Sequence, residues 1–116
     1  MSDVKVETVR SASVGQIGRA ESRIRDAKLV LDSSSRPHDD AFTNSEAFLA
    51  GVSSCGVTLI EMHAQETGVP LRRLSVTIEG VRPTTVPKYD RVTMTFEFEG
   101  VTKAQADALV ETYQGR

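Results

Sequence analysis

The chain has 116 residues, 39% of them apolar and 26% charged, with a formal net charge of -2, one cysteine and no tryptophan. That length and balance describe one soluble globular domain over residues 1–116 and argue against nucleic-acid binding or attachment to an acidic membrane. A lone cysteine forms no intramolecular disulfide, which points to a reducing compartment and a cytoplasmic address.

Residues 1–7 contain no apolar h-region, and no apolar run is expected to approach the ~20 residues of a bilayer span. Val4, Val6 and Thr8 alternate with charged residues and predict a first strand. Gly15 and Gly18 punctuate the next stretch. Ile24, Leu29, Val30 and Leu31 then predict one or two strands ending at Asp32, with Arg19, Arg23, Arg25 and Lys28 interleaved with Glu21 and Asp26 as a solvated strand face. The Ser/Pro/Asp-rich stretch 33–40 is a loop by composition. His38 there, beside Asp39 and Asp40, has no second cluster to complete a metal site, so no metal or cofactor is expected.

The next segment is a long helix. Thr43 followed by Glu46 forms a capping box, Phe42 precedes it as a staple, and Gly68-Val69-Pro70 is a stop signal, so the helix runs about 44–67. Phe48, Val52, Cys55, Leu59 and Met62 recur at helical spacing, and Leu49, Val57 and Ile60 widen the apolar surface, predicting a helix buried on most sides. Two strands come after it, with Leu74, Val76 and Ile78 and then Val92, Met94, Phe96 and Phe98 facing inward by strict alternation. The connection 80–91 carries Pro83 and Pro87. A second capping box, Thr102 and Gln105, opens a helix whose inner face is Ala106, Leu109, Val110 and Tyr113. The fold class is α+β: an antiparallel sheet packed on a long central helix, which needs more cover than one chain supplies and so predicts a homodimer.

Cys55 is the candidate nucleophile. A thiolate needs a cation or donor to stabilise it, and Arg36 in the preceding loop, held by Glu46 in a bidentate fork, has the required chemistry. The plainer alternative is a buried cysteine acting as a small hydrophobe, with Glu46 as a cap and Arg36 in solvent.

The run Phe42-Thr-Asn-Ser-Glu-Ala-Phe-Leu-Ala-Gly-Val-Ser-Ser-Cys55, then an apolar helix, Gly68-Val-Pro and an amphipathic strand, resembles the OsmC/Ohr family of thiol-dependent hydroperoxide reductases. The resemblance implies a peroxidatic Cys55 assisted by Arg36 and Glu46, in an intertwined homodimer with the long helices at its centre. It implies organic hydroperoxides as substrate and a thiol as reductant, and the ten-residue interval from Arg36 to Glu46 matches the osmotically inducible branch. In the Ohr branch the counterpart arginine is Arg19. Glu46 lies nine residues before the cysteine, where the peroxidase branches have ten, and Asn44-Ser45 replaces the motif proline, so the match is to a less-characterised OsmC-like branch. The family's resolving Cys-Pro motif would begin about where the sequence ends, so the chain reads as C-terminally truncated or as lacking a resolving thiol, dependent on an external thiol or dithiol. The rival expectation is a non-catalytic OsmC-like binding or scaffold protein with a structural Cys55.

Overall fold

A computed structural model describes residues 4–86 and 88–115. Pro87 of the predicted loop lies outside the described residues, as do residues 1–3 and Arg116, on which the expectations about the chain ends partly rest. The chain divides into two compact units, residues 1–48 and 49–116.

The first unit is built on a hairpin. Strand β2 (Arg19–Ile24) pairs antiparallel with β3 (Ala27–Asp32), turning at Arg25 and Asp26, where Arg25 takes a positive φ of 55°. Strand β1 (Arg10–Ser13) pairs antiparallel with the other edge of β2, and the two-residue β4 (Phe42–Thr43) lies parallel to the end of β3, giving the order β1-β2-β3-β4. The strand expected over 4–8 is therefore displaced: the ladder begins at Arg10, opposite Arg23, because β2 reaches its turn two residues later and offers no partner further back. Arg23, Arg25 and Lys28 are exposed as expected, but Arg19 is drawn inward.

Helix α1 spans Asn44–Thr67. The capping box forms as the sequence predicts: the Glu46 N–H donates to Thr43 Oγ1 at 3.3 Å, and the Thr43 N–H donates to Glu46 Oε1 at 2.9 Å. At the far end Gly68 adopts φ +74°, which only glycine takes without strain, and the Val69 N–H reaches back to the Ala64 carbonyl at 2.9 Å to close the helix.

In the second unit β5 (Arg73–Val81) and β6 (Arg91–Glu99) form a two-stranded antiparallel sheet in unbroken register, and α2 (Lys103–Gln114) comes next. The α2 capping box closes with the Gln105 N–H on Thr102 Oγ1 at 3.1 Å and the Thr102 N–H on Gln105 Oε1 at 2.9 Å. Ile60 and Ala64 of α1, Leu74 of β5 and Leu109 of α2 make the buried core, with Val57, Val76, Phe96, Phe98 and Tyr113 packed around it. The Phe96 and Tyr113 rings meet edge-on at 6.1 Å, and the Tyr113 hydroxyl donates to the Val52 carbonyl at 3.4 Å.

Three expectations are corrected. The sheet is not single: the described residues form two, one of them mixed by the parallel β3–β4 pair. The buried side of α1 is Gly56, Ile60 and Ala64, not the stripe through Cys55, and Phe48 and Met62 are 61% and 50% exposed. At Gly56 the lack of a side chain lets the Tyr113 ring and the Met94 methyl come close, both about 3.4 Å from where its Cβ would stand. Finally, α1 is long and apolar enough by length and composition to cross a membrane, with a mean hydropathy of 1.3 over its best window, although one side of it is packed in the core.

Candidate functional site

The register of the β2–β3 hairpin places Arg19 opposite Asp32. Asp32 is wholly inaccessible and Arg19 only 16% exposed, so the pair must satisfy itself within the protein. It does so as a fork: Arg19 Nε donates to Asp32 Oδ1 at 2.7 Å and Nη2 to Oδ2 at 3.2 Å. Nη2 also donates to Asp40 Oδ1 at 2.8 Å. Asp32 Oδ2 further accepts the His38 main-chain N–H at 3.1 Å and lies 3.0 Å from His38 Nδ1. A carboxylate only accepts, so Nδ1 carries the proton and Nε2 is left to accept the Gln16 amide at 3.0 Å.

The charges are set by these contacts. Hydrogen bonding to Arg19, with a smaller contribution from His38, holds the Asp32 carboxyl down to about 2, against the opposing push of burial. Asp40 is lowered by the same guanidinium, and the two carboxylates raise Arg19 in turn. Because Asp32 is depressed below its ordinary 3.8, its stabilisation is complete above that value and is lost as pH falls through about 2. Amide exchange at His38 is accordingly expected to stay slow at pH 4 and to quicken toward pH 2, relative to the β5–β6 amides of the same sample. Equal acceleration at both places would remove the carboxylate as the cause.

Arg36 stands differently. Its N–H donates to the Ser33 carbonyl at 3.0 Å, closing a turn, and the Ser33 N–H donates to the Gly18 carbonyl at 2.7 Å. The aliphatic stem of Arg36 crosses the face of Gly18, where an added Cβ would stand 2.9 Å from Arg36 Cδ. With φ at +88°, Gly18 is required both by its backbone and by that approach. Gln16, Ile17, Arg36, Pro37 and His38 line a depression of about 380 Å³. Among the described residues no carboxylate pairs with the Arg36 guanidinium.

The predicted Arg36–Glu46 fork is therefore not formed. The Glu46 carboxylate serves the helix cap through Oε1, and no ion pair joins it to Arg36 among the described residues. Cys55 lies in the second unit, on α1, and is a free, exposed thiol. That corrects the expectation of a buried cysteine: the core takes the Gly56–Ile60–Ala64 side, so its sequence neighbour points elsewhere. The Thr58 hydroxyl donates to the Cys55 carbonyl at 3.4 Å, a local tie that leaves Sγ free. His63 is half-buried against Leu109 and Tyr113. Among the described residues no three His, Cys, Asp or Glu side chains are grouped to hold a metal ion.

Sequence reasoning missed Asp32 and considered His38 only as a metal ligand. The signal for Asp32 was available: a hairpin turning at 25–26 pairs 24 with 27 and, five steps on, Arg19 with Asp32.

The family model described as OsmC-like protein matches residues 37–116. No curated protein matches the chain. Among solved structures, the OsmC-like protein of Mycoplasma pneumoniae superposes with a TM-score of 0.83 at 14% identity, over 97% of this chain and 82% of that one. An organic hydroperoxide resistance protein OsmC from Legionella pneumophila matches at 0.68 and 22% identity, over 95% and 82%. The organic hydroperoxide resistance protein OhrB of Bacillus subtilis matches at 0.62 and 14% identity, over 92% and 82%. At these identities the likeness is one of fold.

Proposed function

The chain belongs to the OsmC-like protein family, and on that premise we propose that it reduces organic hydroperoxides through Cys55, assisted by Arg36 and Glu46, as a cytoplasmic homodimer. The observation that carries the reading is the exposed, free thiol of Cys55 on α1. Two of the structurally similar proteins are described as organic hydroperoxide resistance proteins.

In the proposed reaction the Cys55 thiolate attacks the distal oxygen of ROOH. An S–O bond forms as the O–O bond breaks, the alkoxide leaves with a proton as ROH, and Cys55 becomes a sulfenic acid. Negative charge builds on the departing oxygen, so a guanidinium without a carboxylate partner is the useful group. Arg36 meets that description, whereas Arg19 is held by two carboxylates. Glu46 stands at the start of α1 with Oε1 engaged in the cap, and its assisting role rests on the family resemblance. The cycle is then completed by an external thiol. It condenses with the sulfenic acid to a mixed disulfide and water, and a second thiol then releases Cys55.

The homodimer is supported by exposed apolar surface on α1, at Met62. The use of Glu46 in the helix cap, with no ion pair to Arg36 among the described residues, favours a second reading, a non-catalytic binding or scaffold protein of the same fold. Intact mass after treatment with cumene hydroperoxide separates the two. An increase of about 16 or about 32 Da, for sulfenic or sulfinic acid, is expected in the parent and not in Cys55→Ser. A parent mass that does not change sinks the peroxidatic reading and leaves the scaffold.

A further inference from the structure

We infer that Asp32 is the positioning residue for Arg36, acting through Arg19 and His38 to fix the loop that presents its guanidinium. This rests on the assisting role proposed for Arg36. It starts from an oddity: a carboxylate with no access to solvent, at the end of a strand. A buried charge of this kind is retained only where its partners satisfy it, and the identity of those partners shows what it organises.

All of them hold the segment 33–40. Asp32 sits at the root of that segment and binds its His38 twice, by main chain at 3.1 Å and by imidazole at 3.0 Å. The guanidinium it anchors, Arg19, binds Asp40 at the segment's other end at 2.8 Å. Both ends of the loop are thus tied to one Arg19–Asp32 pair on the β2–β3 hairpin. Arg36 rides between the ties, two residues before His38, with its stem laid over Gly18. Leaving an eight-residue polar loop untethered would let Arg36 sample many placements, each of them ordered again at an entropic cost when substrate arrives. The network removes that freedom in advance. It also explains why two nearby arginines differ: Arg19 is neutralised to build the loop, and Arg36 is left with its charge available.

Asp32→Asn tests this, because the amide keeps the shape and loses the charge. Two measurements on the full chain are needed. Amide exchange at His38 is expected to speed up about tenfold or more, while the β5–β6 amides are unchanged. The rate of Cys55 oxidation by cumene hydroperoxide is expected to fall on the order of tenfold in the parent background and not to fall further in Arg36→Met. A purely structural Asp32 would slow both backgrounds equally, which would overturn the inference, as would unchanged exchange at His38. An Arg36→Met variant that reacts as fast as the parent would instead overturn the reading of Arg36 itself, and the exchange result would still decide whether Asp32 orders the loop. If Asp32→Asn does not fold, His38→Ala cuts only the loop side of the network and must show the same background dependence.

Discussion

Replacing Ile60 with alanine is expected to lower the stability of the chain by about 3 kcal/mol, read as a reduced urea midpoint at unchanged slope. Ile60 is 1% exposed and is the largest apolar side chain so completely enclosed. It packs in a core whose other buried apolar members among the described residues are Ala64, Leu74 and Leu109, so little remains to collapse into the space it would leave. Against a total stability of about 5–15 kcal/mol for a small domain, one such cavity removes a large share. Met62→Ala supplies the contrast. Its side chain is half exposed, so at low protein concentration the loss should stay under about 1 kcal/mol. A cost that grows with concentration would report burial of that side of α1 against a second copy. Equal losses for the two variants at high dilution would mean that the core had been assigned to the wrong side of the helix.

That contrast also marks where the sequence stops being legible. The bounds of α1 can be read because they depend on local chemistry: Thr43 and Glu46 at one end, Gly68 at the other. The β5–β6 pair can be read because alternation has a period of two and leaves no doubt about which side is apolar. The inner side of α1 cannot. Phe48 and Met62 are larger and more apolar than Gly56 and Ala64, so a hydrophobicity pattern finds Ile60 and Val57 but not the small residues beside them. What decides it is how closely β6 and α2 can approach, and that favours small residues, a property of packing and not of polarity. The error carries over to Cys55, which the pattern places with its buried stripe and which is exposed instead.

The site divides in the same way. Cys55, Arg36 and Glu46 are visible as residue types at suggestive spacings, and the family they point to is the right one. Nothing in the sequence shows the Arg36–Glu46 fork to be wrong, because Glu46 has two possible uses and only one carboxylate. Its cap is local and forms with the helix, whereas a fork to Arg36 would require ordering a long side chain across a loop. Arg19 reads as surface only while it is grouped with its sequence neighbours Arg23 and Arg25. Its true neighbour lies across the hairpin, and the cross-strand register, not the local charge run, determines its environment.

The two arginines should therefore separate experimentally, and by a wide margin. Arg36→Met removes a guanidinium that pairs with no carboxylate among the described residues. It is expected to leave the urea midpoint almost unchanged and to slow the reaction of Cys55 with cumene hydroperoxide on the order of a hundredfold, the usual effect of deleting one donor that faces developing negative charge. Arg19→Met should do the reverse to stability. It takes from a fully enclosed carboxylate the partner that chiefly keeps it ionised, so Asp32 must either carry an uncompensated charge or take up a proton. The midpoint should drop markedly at pH 7 and recover in part at low pH, because protonation relieves the stranded charge. Adding Asp32→Asn to Arg19→Met should restore much of the loss, since the amide does not require a cation; two independent sites would merely add their penalties. If Arg19 acts on the proposed reaction only through the loop it ties at Asp40, any slowing of Cys55 oxidation by Arg19→Met should be matched by faster amide exchange at His38. If Arg19→Met instead slows the chemistry a hundredfold with stability and exchange untouched, Arg19 is the arginine that meets the substrate, and the loop that carries Arg36 has some other use.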